Sequence, residues 1–374
     1  MYNENTVFII GAAASIKYGF PLGDELTDSV STLFGDYGKG NTLSERFRKN
    51  FEILRQDELL SRISETYPTK VVEESSRHIH QGLHGMRSVD RYLHVHQDNE
   101  SIVFLGKLAI ASSILKYERQ STLYNWQKKL IDTGISTKIQ KVQKPITVHD
   151  KKLENLTNTW INIFFNNLSE GYTKDTVKNI FENVSIICFN YDRCIEFYLM
   201  ELLVITFSLN RDTAANILST LNIIHPYGTI GNCIENGDEN YLPFGNSGER
   251  PVNEFALAKR IVTFTESTNE NTNNSKRIIN AVSGASKMII LGFGFEQMNM
   301  DILKLPAHKT GTIRKFYATA YGEIEIGKKV ILEQLASSFL SNGLPKSGLK
   351  LFEENVEFFD DDCETMLQKI RRKL

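Results

Sequence analysis

Long hydrophobic runs are missing from this 374-residue chain. The longest apolar stretch, Phe197 to Phe207, is interrupted by Glu201 and falls short of the ~18 residues that a membrane span needs, so a buried helix is expected there and no membrane contact. Cysteine is scarce. The four, Cys188, Cys194, Cys233 and Cys363, include no C-x-x-C pair, which argues against a zinc ribbon and against a disulfide framework. A surplus of one charge is also lacking: Lys and Arg number 43 against 45 Asp and Glu, a formal charge of −2, so no electrostatic footprint calls for direct nucleic-acid binding. The N-terminus has no basic leader, and its first apolar run, Val7 to Ile10, is too short for a signal peptide. These absences together point to a protein of the reducing cytoplasm.

The remaining composition is that of an ordinary globular protein, 41% hydrophobic and 24% charged, and the length suits two lobes rather than one. Five of its eight histidines, His78, His80, His84, His94 and His96, crowd one region. His80 and His84 share a helical face at a spacing that can bind zinc. Neither an H-E-x-x-H pattern nor a cysteine partner accompanies them, so solvated or interface histidines are the simpler expectation, and no metal is expected.

Chemistry first becomes visible at Val7 to Gly23. Val7 to Ile10 has the β-branched, apolar character of a buried strand. Gly11, three alanines and Ser15 follow with no large side chain among them, so the backbone there can come close to a ligand and offer its amides to a phosphate. Gly19, Pro21 and Gly23 break the chain before a helix beginning at Asp24. The dinucleotide fingerprint G-x-G-x-x-G is not met, because Gly11, Ala13 and Ile16 occupy its three glycine positions.

From Ser44 to about Ile180 no convincing alternating strand occurs. Helical patterns cover Ser44–Ile63, Val71–Leu83, Ile102–Tyr117 and Leu153–Leu168, and the basic, Pro145-containing stretch Lys138 to Lys152 reads as a loop. Beyond Val184 the character changes. Short apolar runs at Val184–Phe189, Leu221–Ile224, Ile261–Phe264, Lys287–Leu291 and Thr312–Ala318 predict strands, with a long helix over Glu325–Leu340 and an edge strand at Val356–Phe359. The polar stretch Glu266 to Ser275 reads as a solvated loop. Short apolar strands alternating with helices predict an α/β fold, a doubly wound parallel sheet, interrupted by a mainly helical insertion. The expected domains are residues 1–35 with 181–374, and an inserted helical domain over 36–180.

Polar residues gather where the strands end. Gly11-Ala12, Asn190-Tyr191-Asp192, His225-Pro226-Tyr227-Gly228 and Gly292-Phe293-Gly294 each follow an apolar run, the place where open parallel sheets bind their ligands.

These segments carry a resemblance. Gly11-Ala12-x-x-Ser15-x-x-x-Gly19-x-Pro21 resembles the opening of sirtuins and, more closely, of the sirtuin-like domains of bacterial anti-phage defence. Cys188-Phe189-Asn190-Tyr191-Asp192 is similar to their Thr-x-Asn-[Tyr/Ile]-Asp motif, with Cys188 where Thr is usual. His225, followed by Gly228, resembles the family's catalytic histidine. Leu291-Gly292-Phe293-Gly294-Phe295 resembles the late glycine turn, and Ser88-Val89-Asp90-Arg91-Tyr92-Leu93 a Ser-Ile-Asp-x-Phe-Leu segment of the defence subgroup. The matches run in the family's order over residues 7 to 295.

The resemblance implies a Rossmann-like domain that takes NAD as its substrate and hydrolyses it to nicotinamide and ADP-ribose, depleting the cofactor in infected cells. It implies Asn190 and His225 as catalytic residues. It further implies that Gly11, Ala12, Ala13, Ser15, Phe20, Pro21, Asp192, Gly228, Gly292, Phe293 and Gly294 bind the dinucleotide. A homo-oligomer is implied, and a second component such as a HerA-type ATPase. The missing zinc ribbon argues against protein deacylation. Ala13, in place of the family's middle glycine, favours the alternative of a non-hydrolytic sensor or regulatory subunit that binds NAD or ADP-ribose.

Overall fold

The computed structural model describes residues 2–35, 42–51, 56–132, 154–235, 237, 241–246, 253–269, 272–309, 314–340 and 346–374. The loop expected at Lys138–Lys152 lies outside the described residues.

Six strands form a single all-parallel sheet: β1 (Thr6–Ile10), β2 (Val184–Cys188), β3 (Asn222–Ile224), β4 (Lys287–Leu291), β5 (Lys315–Thr319) and β6 (Val356–Phe359). Their order across the sheet is β3-β2-β1-β4-β5-β6, that of the doubly wound, Rossmann-like fold. Parallel sheets are covered by helices on both faces, so their strands carry continuous apolar runs; all five residues of β1 are buried. The register brings the strand ends level, with Ile10 opposite both Cys188 and Leu291. Between β1 and β4 the order of connection reverses, and the loops leaving these two strands part from each other there. A crevice results at their carboxyl ends.

The chain between β1 and β2 is helical among the described residues. After a 3₁₀ turn at Ala12–Tyr18 come α1 (Gly23–Leu33), α2 (Leu43–Asn50), α3 (Gln56–Thr66), α4 (Thr69–Leu83), α5 (Val89–Val95), α6 (Glu100–Gln120), α7 (Thr122–Asp132), α8 (Glu154–Thr157) and α9 (Trp160–Ser169). The central member is α6, capped by Asn99 Oδ1 accepting from Ile102 N–H, with most of its residues buried against α1, α4 and later helices. Trp160 on α9 ties this layer to the sheet: its indole N–H donates to Ala14 O at 2.8 Å. The expected strong helix over Phe197–Phe207 is the body of α10 (Cys194–Phe207), buried on nearly every side as an apolar-all-round helix must be.

Two expectations fail in the stretch after β3, where α11 (Arg211–Leu218) has already led into that strand. Ile261 makes only an isolated antiparallel bridge to Gly228, because Thr263 opens a helix immediately after it. The polar run from Glu266 is not a loop throughout. Thr263 and Glu266 form a reciprocal capping box on α13 (Phe264–Ser267), and Thr272 caps α14 (Asn273–Ser283). Polar composition here marks helix starts. A short α12 (Glu254–Arg260) precedes them, and α15 (Gln297–Leu303), α16 (Glu325–Phe339), α17 (Lys346–Glu353) and α18 (Cys363–Ile370) follow.

Candidate functional site

The crevice at the switch point opens into a cleft of about 600 Å³. Its floor comes from the loops after β1, β2, β4 and β5, and its far wall from α1, the start of α5 and Ile114 of α6. Two glycines let the central loops meet. A Cβ on Gly11 would lie 2.4 Å from Gly292 O and 2.6 Å from Phe293 Cα. Gly292 itself has φ +58° and would bring a Cβ within 2.3 Å of Ala14 N. Only a backbone without side chains fits at this contact. It is closed by Gly11 N–H donating to Leu291 O at 2.9 Å and Ala13 N–H to Gly292 O at 3.2 Å, while Gly292 N–H donates to Thr319 Oγ1 at 2.9 Å. Phe295, at φ +51°, holds a left-handed conformation rare for an aromatic residue and packs edge-on against Phe293.

Ten of the residues singled out from the sequence line this cleft. Gly11, Ala12 and Ala13 come from the first loop, Phe20 and Pro21 from the segment before α1, Asn190 and Asp192 from the end of β2, and Gly292, Phe293 and Gly294 from the end of β4. Residues far apart in the chain, Gly11 and Gly294 among them, thus meet in one place. Ser15, His225 and Gly228 do not line it. Ser15 is buried behind Asn190. Gly228 turns the chain at φ +72° against the end of α12, where a Cβ would strike Arg260 O.

Asn190 stands at the centre. Its Nδ2 donates to Gly11 O at 3.1 Å and to Ser15 Oγ at 3.0 Å, fixing the end of β2 to the loop after β1. Both amide protons are thereby used, and among the described residues no donor engages Oδ1, which remains the side chain's open acceptor. Asp192 is buried and accepts from Cys194 N–H at 3.1 Å, starting α10; burial pushes its carboxyl above the usual range against the opposing pull of that amide and of Ser15.

His225 lies beneath this turn. Its Nδ1 donates to Asn190 O at 3.0 Å and its Nε2 meets Glu196 Oε1 at 2.9 Å. Burial alone would lower the imidazole pKa, but the Glu196 carboxylate, with Cys188 alongside, outweighs it and holds the ring protonated well above its ordinary 6.5. The same pairing keeps Glu196 ionised despite its burial. The adjoining Arg193, fully buried, forms a two-pronged pair with Glu118 of α6, Nε to Oε1 at 2.8 Å and Nη2 to Oε2 at 2.6 Å.

Several cleft residues were not named from the sequence as site members. Tyr191 donates its hydroxyl to Asp90 Oδ1, and Tyr227 donates to Asn299 Oδ1 at 2.7 Å. Burial, with Glu296 nearby, pushes the Asp90 carboxyl up to about 6 even though the Tyr191 hydroxyl pulls the other way. Glu323 and Tyr321 line the β5 end. Asp90, Asp192, Glu296 and Glu323 face a single guanidinium, Arg87, among the described lining residues. The sequence signals for these were the Ser88-Val89-Asp90 segment for Asp90 and the strand-end segments Asn190-Tyr191-Asp192 and His225-Pro226-Tyr227-Gly228 for the two tyrosines.

Four of the five clustered histidines make contacts between helices, His96 through its edge-on packing against His78, while His84 is exposed. His78 Nδ1 pairs with Tyr92 Oη at 2.7 Å, His80 Nδ1 with Ser31 O at 3.0 Å, and His94 Nδ1 with Thr265 Oγ1 at 3.0 Å. Among the described residues no group of three His, Cys, Asp or Glu stands close enough together to hold a metal ion. Comparison of the chain with protein-family models, with curated proteins and with solved structures finds no match, so the cleft has to be interpreted from its own geometry.

Proposed function

We propose that the cleft binds NAD and hydrolyses the bond between nicotinamide and ribose, releasing nicotinamide and ADP-ribose. One observation carries this reading: the Asn190 amide joins the loop after β1 to the end of β2 at the switch point of a Rossmann-like sheet, and leaves a carbonyl oxygen as its open group. A two-part ligand suits a crevice lined from β2 on one side to β5 on the other. When the glycosidic bond breaks, its electron pair leaves with nicotinamide and the ribose acquires oxocarbenium character. A fixed carbonyl dipole and nearby carboxylates stabilise that positive charge without having to reorganise. Water then adds at the anomeric carbon and loses a proton. Phe20, buried beside Pro21 at the cleft wall, excludes bulk water from the nicotinamide side.

Such an activity fits a cytoplasmic anti-phage effector that depletes NAD and works as a homo-oligomer or beside a partner such as a HerA-type ATPase. The support for this wider role is the order of the sequence motifs. A second reading, a sensor subunit that binds NAD or ADP-ribose without cleaving it, is favoured by the Ala13 amide, which is engaged by Gly292 O and so withheld from a phosphate.

The test is NAD consumption by the purified chain, with products separated, wild type beside Asn190→Ala and with cell lysate added to supply any missing partner. Nicotinamide and ADP-ribose from wild type alone support the hydrolase. NAD that binds and is never cleaved under either condition leaves the sensor.

A further inference from the structure

The hydrolase reading needs a group to take the proton of the attacking water, and the sequence resemblance gives that task to His225. The geometry argues otherwise. Asn190 O and a Glu196 carboxylate oxygen are both acceptors, so both ring nitrogens of His225 carry hydrogens. An imidazolium has no lone pair for a proton. The ring is also absent from the cleft lining.

Asp90 meets the requirement. It sits in the first turn of α5, lines the cleft, and is held by the hydroxyl of Tyr191, the residue next to Asn190. That bond occupies Oδ1. Among the described residues, the hydrogen-bond partner of the other oxygen, Oδ2, is the Ser88 hydroxyl alone, 3.5 Å away. The titratable groups around it are Tyr191 at the end of β2, Tyr227 after β3 and Glu296 after β4, while Arg87 lies just before it in the same wall. The tyrosines are held as neutral phenols by burial, and among the described residues no cation stands against the carboxyl closely enough to neutralise it.

Resting on the hydrolase reading, we infer that Asp90, rather than His225, is the proton acceptor of the cleft, and that His225 is a positioning residue acting through the Asn190 backbone. In the step, a lone pair of water forms the bond to the ribose anomeric carbon. The pair of the bond to nicotinamide departs with that neutral leaving group. The water proton passes to Asp90 Oδ2, and the resulting acid returns it to solvent, so NAD and water give ADP-ribose, nicotinamide and a proton.

The test is the pH dependence of kcat for NAD hydrolysis by the full chain. Wild type is expected to lose rate on an acidic limb near pH 6, where Asp90 becomes protonated. Asp90→Asn is expected to lower kcat by roughly 10²-fold or more and to abolish the limb. Two milder variants move the limb in opposite directions. Tyr191→Phe removes a hydrogen bond that favours the carboxylate and shifts it to higher pH, whereas Glu296→Gln removes a neighbouring negative charge and shifts it lower. His225→Gln lowers the rate and leaves the limb in place. An active wild type whose limb survives Asp90→Asn, or stays fixed in both milder variants, overturns the assignment to Asp90 alone. No cleavage by wild type, with or without lysate, overturns the hydrolase reading itself and this inference with it.

Discussion

The pair Glu118–Arg193 gives a sharp test of how the helices between β1 and β2 are fastened to the sheet. Both side chains are essentially inaccessible, 0% and 1% exposed. Arg193 also donates Nη1 to Leu242 O at 2.7 Å, and Glu118 Oε2 accepts from Gly245 N–H at 3.0 Å. Glu118→Leu is close in size but strands the guanidinium in the buried interior. Removing one partner of a buried ion pair costs about 3–5 kcal/mol, or roughly two to four decades in the unfolding equilibrium at ~1.4 kcal/mol per decade. Arg193→Met strands the carboxylate and is expected to cost about as much, again roughly 3–5 kcal/mol.

The double variant Glu118→Leu/Arg193→Met removes both charges. It still orphans Leu242 O and Gly245 N–H, at about 1–3 kcal/mol each, so it is expected to be less stable than wild type but no worse than either single variant. The cycle then shows a coupling of about 3 kcal/mol or more between the two positions. Urea unfolding read by circular dichroism and by the fluorescence of Trp126 and Trp160, both in the helices between β1 and β2, measures it. Coincident transitions establish that sheet and helices unfold together. Costs that add to within ~0.5 kcal/mol across the cycle would refute the claim that the pair works as a unit.

Gly11→Ala forces two backbones apart at the switch point, since its Cβ would lie 2.4 Å from Gly292 O, and is expected to destabilise by about 1–3 kcal/mol. Gly294→Ala, with nothing within 4 Å, is the control and should melt within ~0.5 kcal/mol of wild type. The His225–Glu196 pair predicts a pH signature. The histidine pKa is raised, so its contribution is complete below the ordinary 6.5 and is lost as pH rises through the elevated value. The glutamate pKa is depressed, so its contribution is complete above the ordinary 4.5 and is lost as pH falls through the lowered value. Thermal melts should therefore show an alkaline loss of stability that flattens in His225→Gln, and an unchanged slope would contradict the pairing. For Asn190→Ala, loss of NAD cleavage with the fold retained is the expected outcome, checked by product analysis beside circular dichroism.

The central strands were legible because they are buried on both faces and therefore read as apolar runs: Val7–Ile10 and Lys287–Leu291 fall within a residue of the strands themselves, and the half-buried edge strand Val356–Phe359 was found from its three apolar residues. Ile261 misled because a two-residue apolar pair before a capping threonine looks the same as the start of a strand. Thr263-x-x-Glu266 was the signal that decides it. Within the site, position along the chain was informative and orientation was not. Asn190 and His225 both follow apolar runs, yet one lines the cleft and the other lies beneath the turn, a difference set by side-chain direction at the strand end. The Asp90–Tyr191 bond joins residues 101 apart in sequence, and no local pattern encodes such a contact.

Two ion pairs bracket one turn, the first fully buried and the second largely so, and this accounts for the division of labour around it. Arg193 anchors the turn to α6 through Glu118, while Glu196, three residues on, anchors it to the end of β3 through His225. Asn190 and Asp192 lie just upstream, with the Asn190 carbonyl held by His225 and its side-chain amide by Gly11 and Ser15. Burying four charges is costly, and hydrophobic replacements of similar volume would often be at least as stable. What such replacements could not supply is direction: hydrogen bonds from fixed charges orient the Asn190 peptide in a way that apolar packing does not. A group that must present one carbonyl oxygen to a developing positive charge needs that orientation set in advance. On this argument His225→Gln and Glu118→Gln should both lower the rate of NAD cleavage before they unfold the protein. A variant in either pair that lost several kcal/mol of stability with an unchanged kcat would show the pairs to be scaffolding alone.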